Sequence, residues 1–110
     1  MRLVFTSYLD CSPEEIERRA TEAFPAAVSA AAARIKASTS TVRAETRPAG
    51  VVLQGLEALD GTEITWAGDD SLTTVRILVP WQVEDNVSGD KLRAASQFAE
   101  VFSAVAGGAA

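Results

Sequence analysis

The chain has 110 residues, 10 Lys and Arg against 15 Asp and Glu, and a net charge of −5; this argues against a nucleic-acid backbone or an anionic membrane as partner, since both attract positive surface. Its length fits one α+β domain over residues 1–110, able to bury roughly two thirds of its unfolded surface without covalent staples. A single cysteine, Cys11, and no histidine exclude an intrachain disulfide, a multi-thiolate zinc site, and any Ser-His-Asp or Cys-His pair within one chain.

Residues 2–9 read as a first strand with Leu3, Phe5 and Leu9 on one face and Val4, Thr6 and Tyr8 on the other, so both faces are expected to be covered. Ser12-Pro13-Glu14-Glu15 combines a Ser N-cap, Pro at N1 and Glu at N3, which predicts a helix starting at Pro13 and closed by a capping box. Ile16, Ala20, Ala23 and Phe24 form its apolar stripe. Pro25 removes a donor and predicts a kink or a fresh helix; the alanine-rich run to Ala37 then has high helix propensity, with Val28, Ala32 and Ile35 on one face. Its small residues would let it lie close to a neighbour. The polar cluster Ser38 to Thr41 ends it.

Four strands follow if paired strands agree about which face is buried. Val42 and Ala44 are expected inward, with Arg43 and Glu45 outward. Arg47-Pro48-Ala49-Gly50 reads as a type I turn that sets Thr46 opposite Val51 and Ala44 opposite Leu53. Asp60-Gly61 is a two-residue hairpin signal, which would pair Glu57 with Ile64 and Gly55 with Trp66. The turn Gly68-Asp69-Asp70-Ser71 then pairs Ile64 with Val75. The clearest strand is Leu72–Val83, where Val75, Ile77, Val79, Trp81 and Val83 recur at period two, while Pro80 points to an edge or a bulge. Glu84-Asp85-Asn86 leaves the sheet. Ser88 caps a last helix with Leu92, Ala95, Phe98, Ala99, Phe102 and Val105 as its stripe, and a tail at 107–110 is expected to fray.

The element order is β-α(α)-β-β-β-β-α: a curved antiparallel sheet of about five strands with helices packed on one face. A first strand flowing into Cys11-Ser12-Pro13-Glu14-Glu15-Ile16, and a long last helix after an antiparallel run, resemble the START/Bet v1-like superfamily, the helix-grip fold also called SRPBCC. The resemblance covers most of the chain and implies a cavity between sheet and helices.

Candidate site residues are few. Glu57 falls on the buried side of the predicted hairpin, where a carboxylate needs a partner, and Arg43 and Arg76 are the cations to weigh against it. Trp66 and Trp81, with Phe98 and Phe102 of the last helix, are candidates for the wall of an apolar pocket, and Tyr8 for orienting a ligand. Cys11 reads as a buried small residue. Asp69-Asp70 and Glu84-Asp85-Asn86 with Asp90 lack the spacing of a calcium loop and read as turn and cap residues. No cofactor motif is present. No apolar run of about 18 residues and no leader pattern occurs, so no membrane partner and a cytoplasmic location are expected. The leading expectation is a non-catalytic module for a small apolar ligand. The alternative is an interaction domain, acting as a homodimer or a subunit, that uses the alanine-rich segment 26–37 or an outer sheet face at Val52 and Leu78. An enzyme with Glu57 as acid or base comes third.

Overall fold

The structure, a computed structural model, describes residues 3–81 and 88–108. Its elements are β1 (Leu3–Leu9), α1 (Pro13–Ile35), β2 (Arg43–Arg47), β3 (Gly50–Gln54), β4 (Glu63–Gly68), β5 (Thr73–Val79) and α2 (Gly89–Ala106). The strands form one antiparallel sheet in the order β1-β5-β4-β3-β2. Both helices pack on one face of it, as the element order predicts. Period-two alternation sets that face: Val51, Ile64, Trp66, Val75, Ile77 and Val79 are all buried, and the register lines Phe5, Ile77, Ile64, Val51 and Thr46 across the strands.

β1 covers one edge and has only one buried face. Val4 and Tyr8 point to the outer side and are 47% and 70% exposed, which corrects the expectation of a strand covered on both faces. The reason is topological, because both helices lie on the side of Phe5 and Ser7, where Ser7 Oγ meets Ser103 Oγ of α2 at 2.9 Å.

Ser12 accepts a hydrogen bond from the Glu15 amide at 3.3 Å and caps α1. The Glu15 carboxylate instead pairs with Arg19 at 3.5 Å. α1 continues through Pro25 as one helix and closes at Lys36 in the left-handed conformation. Ala23, Ala27 and Ala31, spaced four apart, are buried on α1, and Ala94, Ala95 and Ala99 on α2; the two helices make the most extensive packing between any two elements. Arg19 also donates to the Ala106 carbonyl at 3.2 Å, placing a cation at the C-terminus of α2, which carries no basic residue in its last turn. On α2 itself Leu92 is 50% exposed and Val105 half-buried, whereas Ala94 and Ala106 are buried. The helix is therefore rotated toward its alanines compared with the expected stripe, because close packing on α1 favours small residues.

The β2–β3 register matches the expected one, with Ala44 opposite Leu53 and Thr46 opposite Val51. Ala49 takes a φ of 51°, the sign a type II turn needs at its third position and a type I turn does not. Every residue of β2 is exposed, Ala44 included, since no helix reaches over this edge.

The Asp60-Gly61 hairpin does not form. Val51 pairs with Ile64 and Val52 with Glu63, and residues 55–62 make a separate connection. A two-residue turn would have put Leu56 on the wet face; instead Leu56 and Leu59 are both buried, held by bonds from the Leu59 amide to the Leu56 carbonyl at 3.2 Å and from the Thr62 amide to the Leu59 carbonyl at 3.1 Å. Asp60 is spent on the backbone: its carboxylate accepts from the Gly55 amide at 2.6 Å. Gly55 sits at φ 83° with its backbone against the Thr41 carbonyl, so no side chain fits there. Trp66 accordingly does not lie over Gly55. β4 and β5 pair Ile64 with Ile77 and Trp66 with Val75, two residues from the expected register but on the same face. β5 is interior, between β1 and β4, and stops at Val79, so Pro80 ends a central strand rather than marking an edge. The expectations for Val83 and for Glu84-Asp85-Asn86 lie outside the described residues.

Candidate functional site

The helices divide the sheet unevenly. α1 meets it chiefly at β4, while α2 lies against β1 and β5. The β2 end is left uncovered, and between it and α1 runs an open cleft of about 670 Å³. Val51 and Trp66 form its floor, Ala20, Phe24 and Val28 of α1 one wall, and Val42 and Ala44 the other; Glu17, Thr21, Ser29, Thr39, Arg43 and Thr46 surround the apolar surface. An apolar floor with a few polar groups at its margin is the usual character of a small-molecule site.

Pro25 carries no hydrogen on its nitrogen, so the Thr21 carbonyl has no donor at the usual fourth position along the helix. Thr21 and Pro25 both line the cleft.

Trp66 is fixed from behind. Its indole stacks on Phe102 at 6.5 Å between ring centres, Phe102 stacks on Phe98 at 6.3 Å, and Phe98 meets Phe24 edge-on at 6.3 Å. Phe98 and Phe102 are 1% and 0% exposed. They are packed core and support the cleft without lining it, so the space between sheet and helices is solid at its centre and open at the β2 side.

The remaining candidate residues are scattered. Trp81 is half-buried beyond the end of β5, where its Nε1 donates to the Ala58 carbonyl at 2.7 Å and ties down the 55–62 connection. Tyr8 is on the opposite face of the sheet. Glu57 is exposed, at a second depression of about 330 Å³ that it shares with Arg34, Lys36, Lys91 and Asp90. The burial that singled it out depended on the hairpin register that does not form, and among the described residues neither Arg43 nor Arg76 makes an ion pair with it. Of the six candidates, Trp66 alone lines the cleft. Phe24, Val28, Ala44 and Val51 were not singled out; their inward positions follow from periodicity, but how far α1 reaches across the sheet does not.

Cys11 is buried, its Sγ 4.0 Å from the Ala106 carbonyl. Within segment 26–37 Ala27, Ala31 and Ala32 are buried while Ser29, Ala33 and Arg34 are exposed; on the outer sheet face Val52 is 8% exposed and Leu78 half-buried. Asp69 organises its own turn: its Oδ1 accepts from the Ser71 amide at 2.9 Å, the Leu72 amide at 3.0 Å and the Ser71 hydroxyl at 3.1 Å. Those bonds, that from the Ser71 amide foremost, hold its carboxyl below the ordinary value of 3.8. Among the described residues no group of three or more His, Cys, Asp or Glu is placed to hold a metal ion, and no helix is long and apolar enough to cross a membrane.

No family model matches the chain, and no curated protein or solved structure is significantly similar to it.

Proposed function

We propose that the protein is a non-catalytic binding module for a small apolar ligand, held in the cleft between α1 and β2–β3. The observation that carries this reading is the cleft itself: about 670 Å³, within the range of small-molecule sites, with Phe24, Val28, Val51 and Trp66 presenting apolar surface that a stacked aromatic core keeps in place. Burying apolar ligand surface there supplies the binding energy, and the polar rim orients whatever polar group the ligand carries. The helix-grip resemblance is consistent with this reading, with the ligand at the open flank of the sheet instead of its centre.

The test is titration with a neutral fluorescent apolar probe, N-phenyl-1-naphthylamine, into the wild type and into a variant carrying Thr21→Phe and Ser29→Phe. Both residues are exposed and line the cleft, so the two rings fill it from the α1 side without touching the core. The wild type should bind saturably with enhanced probe emission, and the variant about tenfold more weakly or not at all, at an unchanged melting temperature. Equal binding by both proteins would place the probe elsewhere and reject the reading.

A further inference from the structure

We propose that β2 is the dimerisation edge of this protein: two copies pair their β2 strands antiparallel about Ala44, joining two five-stranded sheets into one. The hydrogen-bonding phase of the sheet sets the register. The Leu53 amide bonds to the Thr62 carbonyl and the Trp66 amide to the Ala49 carbonyl, so residues 49, 51 and 53 use their backbone groups toward β4. Alternation then directs Gly50, Val52 and Gln54 toward β2, where they face Arg47, Glu45 and Arg43. The amides and carbonyls of Ala44 and Thr46 therefore point to the open side, where among the described residues no strand pairs with them. Such a row is a template for another strand.

The side chains select a second copy as that strand. On the outer face β2 alternates in sign, Arg43, Glu45, Arg47. Pairing Ala44 with Ala44 of the other copy sets Arg43 opposite Glu45 twice, once on each side of the two-fold axis, and opposite charges directly across a strand pair attract. Pairing one residue further on instead sets Glu45 against Glu45 and Arg43 against Arg47, which repel. A register about Thr46 brings Pro48, which has no amide hydrogen, opposite Ala44. The Ala44 register meets both charge and hydrogen bonding at its centre: the two Ala44 residues exchange two bonds, and each Thr46 amide reaches the Val42 carbonyl of the other copy, while the Val42 amide stays on the Thr39 carbonyl. On the inner face it brings together Ala44, Val42 and Thr46, which are small or neutral groups.

The two-fold axis stands perpendicular to the sheet, so the helices of both copies lie on the same side and the two clefts, each open toward β2, face one another. The dimer does not depend on what the clefts hold. A pair of five-residue strands is a small contact, and association is accordingly weak and concentration-dependent.

Sedimentation equilibrium over a concentration series tests this with Arg43→Glu and Glu45→Arg. The wild type should follow a monomer–dimer equilibrium. Each variant alone places like charges across the axis and should weaken association about tenfold or more. An equal mixture of the two restores opposite charges at both sites and should associate again as a heterodimer. Melting curves identical to the wild type exclude misfolding. A wild type that stays monomeric throughout, a dimer that neither substitution weakens, or a mixture that does not reassociate would each overturn the proposal.

Discussion

At the scale of single residues, polar side chains here mostly serve the backbone. Asp60 holds the Gly55 amide, Thr73 bonds the Cys11 carbonyl at 2.6 Å, Thr62 the Leu59 carbonyl at 2.7 Å, and Trp81 the Ala58 carbonyl. The ionisation of Asp69 is coupled to the fold. Three donors favour its charged form, so its folded-state value lies below the unfolded one; the stability it contributes is complete above the ordinary carboxylate value and is lost as pH falls through the depressed one. Asp69→Asn keeps an acceptor oxygen but cannot titrate. It should lower the melting temperature at neutral pH, and the gap to the wild type should close over the acid range that begins at the ordinary carboxylate value of 3.8 and runs down through the depressed one. A gap that stays constant over that range would mean that the charge on Asp69 contributes nothing.

At the scale of elements, helix starts and one strand register were legible from local signals, although Glu15 closes no capping box and the turn at Ala49 is not type I. The Ser12 cap and Pro13 start α1, Ser88 caps α2 with an acceptance from the Lys91 amide at 3.3 Å, and the Pro48-Ala49 loop sets the β2–β3 register. The sequence was not legible where a local signal competed with burial. Asp60-Gly61 is a good hairpin turn in isolation, but a hairpin there exposes Leu56 and turns Glu57 inward, and burial of Leu56 outweighs one favourable turn, since a fully buried Leu stabilises by roughly 2 kcal/mol. Glu57 falls on the buried side only in the register of that turn, and without it the side chain is exposed. Pro25 starts no fresh helix: α1 runs from Pro13 to Ile35 as one element, and packing against α2 supports a helix through a residue that lacks a donor. The two accounts of residues 55–62 differ in a measurable outcome. In a continuous hairpin Gly55 is an ordinary strand residue and alanine there is harmless or stabilising; at φ 83° against Thr41, Gly55→Ala should destabilise by about 2 kcal/mol or more in chemical denaturation.

At the scale of the whole molecule, five strands and two helices form a sheet with one wet face, and the fold class follows from element order and face agreement alone. The site does not, because it depends on a quantity with no sequence signal: the width of sheet that two helices leave bare. α2 takes the β1–β5 side, the contact between the helices draws α1 after it, and β2 remains uncovered. The functional reading therefore stands on the emptiness of that flank and the apolar character of its floor. Amide and indole chemical-shift mapping during titration with N-phenyl-1-naphthylamine examines it most directly. The account predicts shifts confined to Thr21 to Ser29 of α1, to Val42 to Thr46, to Val51 and to the Trp66 indole, with the amides around Tyr8 and Glu57 unmoved. Shifts clustered on the outer sheet face at Val4, Tyr8 and Leu78, or none at saturating probe, would contradict it.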